Sequence, residues 1–311
     1  MVVRFLFFTY LCTTVFSNFA KHHYSYKEVV LLTGGFESKN AFINYVEIDG
    51  TRYIVKQKKT SSKQFSVVRD ALAAYIAKDL NIAQSVEIIA PKKEFPGKNN
   101  IMWPATIHTI AAGKTVREQP ESKYYLLRLK QRIPEGVLLT NRWLTETIIN
   151  QMTWHKQLPI IIALDIFICN TDRHSGNLFY DPKTDCFCAI DMDNIFRRNL
   201  PILAAEKLHI MIDGGKIFTK KEIKAFIKMR NTMQFLLDQY SVQNIIDRLH
   251  FFVKQAGFTK DSLLYTEKVA HKIARHEKII IESRASTYEL ISLLDKIIND
   301  FKLRQAMVGK G

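Results

Sequence analysis

Asp172, Asn177 and Asp191 lie close together in the run NTDRHSGNLFYDPKTDCFCAIDMDN, residues 170 to 194. Loops rich in Asp and Asn are ordinary, because both side chains hydrogen-bond their own backbone in turns. The flanks set this run apart. An apolar stretch, LPIIIALDIFIC, leads in, and two short β-like runs, NLFY and CFCAID, surround a DPKTD turn that starts at Asp181–Pro182. A hairpin there returns the chain, so that Asp191 arrives beside Asn177. Transfer of a nucleotide's terminal phosphoryl group needs such a set: a carboxylate to orient the acceptor hydroxyl, oxygen ligands for magnesium, and a cation on the phosphates. Asp172 fits the first role, Asn177 and Asp191 the second. His174 either braces the loop or touches phosphate, and Arg173 is expected in a local salt bridge. Asp193 reads as a second metal ligand or as a solvated loop acid.

The cation and the elements that carry it lie upstream. Lys56 ends the β-rich run RYIVK, where a strand lysine pointing into a cleft neutralises phosphate oxygens; Lys58 shares its face and is the fallback. Asp70, near the start of the next helix, is placed to pair with Lys56, or is a helix-start charge favoured by the macrodipole. Gly34 and Gly35 mark a strand break where backbone can approach phosphates, as any turn might require. Apolar β-formers predict strands over Val29–Leu32, Ala41–Ile48 and Tyr53–Val55, with an Asp49–Gly50 hairpin turn. Helical spacing runs from about Ser66 to Leu80. AQSVEIIAPKK, IMWPATIHTI and KYYLLRLK read as further short strands. From Asn141 the pattern turns helical, with a break or kink at Pro159, and helices are predicted over 219–238, 241–255, 262–275 and 283–306. A strand-rich first part and a helix-rich second part imply two lobes, residues 21–131 and 132–311, with the polar constellation just past the join.

The whole chain has 311 residues, 47% hydrophobic and 24% charged, which is the profile of a folded protein with a sizeable core. Its formal charge of +15 favours anionic partners: nucleotides, phospholipid headgroups, nucleic acid or acidic proteins. Neither an RNA-binding aromatic motif nor a zinc finger is present, which disfavours nucleic acid. Residues 1–20, MVVRFLFFTYLCTTVFSNFA, pair one basic residue with an apolar stretch and then small residues. That is the pattern of a secretory signal, with an uncleaved membrane anchor and a buried first strand as the alternatives. Beyond Cys12 the cysteines are Cys169, Cys186 and Cys188, an odd number suited to small core residues; a Cys169 bridge to one of the pair is the alternative outside the cytoplasm.

NTDRHSGN followed by AIDMDN resembles the catalytic and metal-binding motifs of the phosphatidylinositol 3- and 4-kinase superfamily, most closely the type II phosphatidylinositol 4-kinases. Related motifs occur in toxin-type serine/threonine kinases and in bacterial effectors of atypical kinase fold. GTRYIVK and VRDALAAYIAKDLNI are similar to that family's lysine strand and acidic-residue helix. The resemblance covers roughly residues 30 to 200. It implies an α+β, bilobal protein-kinase-like fold that binds Mg-ATP (or Mn-ATP) between its lobes. By position it makes Asp172 the catalytic acid/base, Asn177 and Asp191 the metal ligands, and Lys56 the phosphate-binding lysine. The chain departs from the family pattern at Asp70, shorter than the commoner Glu, and at Met192–Asp193. Three functions follow: an exported kinase acting on a protein or phosphoinositide hydroxyl, a pseudokinase that at most binds nucleotide, and a basic protein of anionic membrane surfaces without chemistry. Arg197 and Arg198 either meet the acceptor or are ordinary surface charges.

Overall fold

The computed structural model describes residues 30–31, 36–37, 41–59, 63–89, 104–118 and 144–308. The leader, Gly34, Gly35, KYYLLRLK and the lobe boundary expected near residue 131 lie outside them. The fold is α+β, with a strand-rich N-terminal part and a helical C-terminal part.

Strands β1 (Val30–Leu31), β2 (Phe36–Glu37), β3 (Ala41–Ile48), β4 (Thr51–Lys58), β5 (Val86–Ile89) and β6 (Ala105–Thr109) form an antiparallel sheet. Its order is β1-β3-β4-β6-β5, with β2 also on β3. The β3–β4 hairpin turns on Asp49 and Gly50, whose φ values of +49° and +72° suit a two-residue turn of the primed type. That tight turn fixes the register, with Ile48 opposite Thr51 and Ile43 opposite Lys56. Alternation then separates two faces. Val46, Tyr53, Val55, Ala105 and Ile107 form a small apolar core on one. Lys56, Lys58, Thr106 and His108 share the other.

Helix α1 (Ser66–Ala77) covers the polar face and continues as a short 3-10 turn to Leu80, matching the span its sequence spacing predicts. Its Val67, Val68, Leu72 and Ile76 side chains join the main core, which belongs chiefly to the helical part. Before residue 131 the chain has already crossed to a second sheet: β7 (Lys114–Thr115) pairs with β8 (Leu178–Asp181), and β8 with β9 (Cys186–Ala189). Gly113, at φ +85°, permits this approach, since a β-carbon there would collide with the Tyr180 carbonyl.

The helical part comprises α2 (Glu146–Met152), α3 (Leu158–Phe167), α4 (Leu200–Asp213), α5 (Lys220–Gln239), α6 (Val242–Gln255) and α7 (Glu267–Val308). Pro159 sits in the first turn of α3, where its missing N–H costs nothing, so it starts this helix rather than kinking a longer one. Thr219 and Glu222 close a reciprocal capping box on α5. The helices expected over 262–275 and 283–306 are one element of 42 residues. No glycine or proline interrupts Glu267–Val308, and Ser283, Ser286 and Thr287 bond back to helix carbonyls instead of breaking it. Among the described residues no helix is long and apolar enough to cross a membrane.

Candidate active site

Helix α3 is apolar on almost every side except for Asp165, which is fully buried. Cys169, at φ +53°, turns the chain out of the helix. Asn170 then donates to Asp165 twice, through its backbone N–H to the carbonyl and through its side chain to Oδ1, both at 2.7 Å. Arg173 completes the knot. Its Nε and Nη2 meet the two Asp165 oxygens at 2.9 and 3.0 Å, and its Nη1 donates to the carbonyls of Asn177 and Ile190, at 2.5 and 3.0 Å. One side chain thus ties α3, the loop and the end of β9 together. The local salt bridge expected of Arg173 is present, but it is 1% exposed and spans the whole loop.

The loop's chemistry-bearing groups are set by this frame. Asn177 donates its side-chain N–H to the Asp172 carbonyl at 3.0 Å, which leaves its amide oxygen for another ligand. The Ile190 N–H donates to the Asn177 carbonyl at 3.1 Å, so Asp191 follows directly beside Asn177. The return hairpin expected from the DPKTD turn is β8–β9, with Asp181 accepting from the Lys183 N–H and the Thr184 hydroxyl. Asp172 points its Oδ2 to the Asn194 side-chain N–H at 2.8 Å, and Arg197 donates to the Asn194 amide oxygen at 2.9 Å. His174 accepts the Gly176 N–H at Nδ1, 3.0 Å away, and so caps the short turn Ser175–Asn177. Burial is the first cause holding its pKa below the usual imidazole value, and nearby Arg117 adds to that while Asp172 and Asp191 oppose it.

From the opposite lobe, Lys56 reaches Asp191 and pairs with its Oδ1. Lys58 pairs with Asp193 at 2.5 Å. Two parallel ion pairs therefore join β4 to the segment after β9. Burial alone would raise the Asp191 carboxyl, but Lys56 and Lys58 outweigh it and hold the pKa at about 2. Burial pulls the Lys56 ammonium down, and Asp191, Asp70 and Asp193 together reverse that and raise it. Asp191 has φ +50°, a left-handed conformation uncommon for a residue with a side chain. The backbone accommodates this turn where its carboxylate meets the lysine.

The sequence expectation that Asp70 pairs with Lys56 is corrected in part. Asp70 acts on Lys56 only through space, and its close contact is His108 Nε2 at 3.5 Å. The shorter aspartate stops at β6, where Thr106 also bonds His108 at 2.8 Å. Burial raises the Asp70 pKa to about 7 despite Lys56, and lowers that of His108 to about 3 with help from Lys56.

Asp165, Asn194 and His108 were not singled out from the sequence. A lone acid inside an otherwise apolar helix was the available signal for Asp165, because a buried charge needs a partner and Arg173 is eight residues away. Cys169, Cys186 and Cys188 carry free thiols, so the alternative of a Cys169 bridge does not hold; burial pushes the Cys169 thiol up to about 12. Among the described residues no three His, Cys, Asp or Glu side chains converge on a metal position. The donor set at the loop mixes one carboxylate with one carboxamide oxygen. Such a set suits magnesium, which takes few protein ligands and fills its shell with phosphate oxygens and water.

No protein-family model matches the chain, and no curated protein matches it either. Among solved structures, a Helicobacter pylori proinflammatory kinase, CtkA, matches with a TM-score of 0.46 and 10% identity, over 86% of this chain and 96% of that one. A likeness of that size does not extend to chemistry, and the functional reading stands on the site alone.

Proposed function

We propose that the chain is a phosphotransferase that moves the terminal phosphoryl group of Mg-ATP to a hydroxyl on a protein or a phosphoinositide. The observation that carries this reading is the meeting of Lys56, Asp191, Asn177 and Asp172 through one braced loop. Asp172, steered by Asn194, accepts the proton of the acceptor hydroxyl as the hydroxyl oxygen bonds the terminal phosphorus, whose bond to the bridging oxygen breaks to release ADP. Asn177 and Asp191 would hold magnesium, which supplies neutralising charge to the phosphates when bound. Lys56 exchanges part of its contact with Asp191 for phosphate oxygens of the nucleotide. The lysine, already charged and desolvated, has little to reorganise in that exchange. Export directed by residues 1–20 belongs to the same proposal and is checked by the N-terminal sequence of the mature protein.

The Lys56–Asp191 pair gives a second reading some support. Because the two charges satisfy each other, the same cleft can serve as a nucleotide-binding module without transfer. A basic membrane-surface protein without chemistry leaves the braced loop without a purpose and is disfavoured. Terminally labelled ATP with magnesium or manganese, incubated with a protein mixture and phosphoinositide vesicles, separates these readings. Label in one acceptor class that is lost in Asp172→Ala establishes the kinase and its substrate class. Asp191→Ala should lose metal-dependent nucleotide binding while it still folds. Retention of nucleotide binding by that variant, or transfer that survives Asp172→Ala, would sink the assignment.

A further inference from the structure

A second cluster of charge lies where α1, the segment after β9 and α7 come together. Arg69 on α1, Arg197 after β9, and Lys272, Arg275 and His276 on α7 face one another. Positions 272, 275 and 276 share one face of α7 by helical spacing. His276 is 4% exposed, and its ring lies 5.3 Å from that of Phe65 at the start of α1. Lys272 stands over the same Phe65 ring at 5.9 Å, and Arg275 donates to the Arg197 carbonyl at 3.1 Å. Cations crowded in this way repel. Burial and then Arg69 and Arg197 hold the Lys272 pKa below its ordinary value. His276 is driven to about 4, first by burial and then by Arg69, Arg275 and Arg197.

Among the described residues, Asp193 and Asp70 are the acids whose charge supports Arg69. Asp193, the acid closest in its influence on Arg69, is engaged by Lys58. On α7 itself, Glu277 is turned to His250 and Glu267 to His271. Polar atoms are left over at the same spot. Arg69 Nε, His276 Nε2 and the Ser66 hydroxyl are buried with no hydrogen-bond partner among the described residues. Helix α1 begins there without a side-chain cap and without an acid in its first turn, so its positive end adds to the same field. His276 donates from Nδ1 to the Lys272 carbonyl at 2.5 Å, so its Nε2 is an acceptor while the ring is neutral. Arg69 Nε and the Ser66 hydroxyl are the buried donors left unmatched beside the positive helix end, and an anion would satisfy them.

We propose that this cluster binds a phosphate group, with Arg69 and the Ser66 hydroxyl as its floor and Arg197, Lys272 and Arg275 as its rim. The site is distinct from the Asp172–Asp191 centre but adjoins it. Arg197 holds Asn194, and Asn194 holds Asp172, so an anion on Arg197 sits two hydrogen bonds from the loop carboxylate. Free phosphate and a phosphorylated headgroup on a membrane present the same chemistry, and the experiment separates them.

The test uses the full chain and inorganic phosphate, with chloride at matched ionic strength as the reference, and reads the thermal unfolding midpoint. Phosphate should raise the midpoint above chloride. In Lys272→Gln/Arg275→Gln the apparent phosphate affinity should fall by about tenfold or more, because two charge-assisted contacts are lost. This variant should fold at least as well as the parent in chloride, since it relieves repulsion at the partly exposed rim. Arg69→Met removes the charge of the floor and should abolish the phosphate response. Equal midpoints in phosphate and chloride, or an undiminished response in the double variant, overturns the site. A parallel arm sediments the protein with phosphatidylcholine vesicles, with or without phosphatidylinositol phosphate. Binding that requires the phosphorylated lipid and is lost in the double variant assigns a headgroup; soluble phosphate binding without sedimentation assigns a free anion. Neither readout depends on phosphoryl transfer.

Discussion

Two ion pairs meet the same loop and behave as opposites. Asp165 and Arg173 are 0% and 1% exposed, joined through two parallel bonds, with the arginine Nη1 donating to backbone carbonyls. Lys56 and Asp191 meet through one oxygen, and their side chains are 12% and 37% exposed. The first pair has four of the five guanidinium N–H donors bonded inside the protein and almost no exposed surface, so a ligand from solution has little to compete for. The second leaves a carboxylate oxygen and two lysine protons available, and a ligand rich in phosphate oxygens can enter. Burial and donor satisfaction, rather than charge alone, separate a scaffold from a site.

The sharpest way to break this contrast is to remove one side of the sealed pair. Arg173→Met strands the Asp165 carboxylate in the core and should cost about 3–5 kcal/mol, read as a drop in the denaturant midpoint. Asp165→Leu/Arg173→Met should recover much of that loss, and failure to recover would mean that the arginine's bonds to Asn177 and Ile190 dominate. At the open site the effect moves from folding to chemistry. Asp172→Ala should slow transfer by about 10²–10⁴-fold with the unfolding midpoint little changed. Asn194→Ala, which unties Asp172 and also frees Arg197, should slow turnover by about tenfold and leave nucleotide affinity as it was.

The smallest effect is on pH dependence and belongs to Asp70 and His108. Asp70 has a folded pKa of about 7 against 3.8 for the free group, so the folded state holds its proton longer and stability falls as pH rises across that interval. His108 runs the other way: its pKa of about 3 against 6.5 makes stability fall as pH drops through that interval. Over the shared range the two slopes oppose each other. Asp70→Asn removes one of them, so its urea unfolding free energy should decline more steeply with acid than that of the parent below about pH 6.5. Parallel curves for the two proteins would show that these groups do not titrate against folding.

Local signals carried most of what the sequence revealed. The β3–β4 hairpin was legible because Asp49–Gly50 prescribes a tight turn between alternating strands. Helix α1 was legible because its apolar residues recur at one period. The Asp172–Asn177–Asp191 grouping followed from the intervening hairpin, a short-range feature that the structure contains. Choices among distant partners were not legible. Whether Lys56 meets Asp70 or Asp191 depends on where β6 places His108, and no local pattern encodes that. Strand β7 is two residues long, and its pairing with β8 is visible only in three dimensions. The two helices expected over 262–275 and 283–306 are one, because the backbone has no reason to stop between them without glycine or proline.

One small contact between the lobes has a mechanical consequence. Ala189, two residues before Asp191, accepts the Gln84 N–H at 3.4 Å and donates its own N–H to the Ile82 carbonyl at 2.6 Å, in a parallel bridge with Ala83. This stitch works as a fulcrum. Rocking the six-stranded sheet about it would swing Lys56, out on β4, through an arc, while Asp191 stays near the pivot and keeps its spacing to Asn177. Such rocking would widen or narrow the gap between Lys56 and Asp191 and leave the spacing of Asp191 to Asn177 as it is.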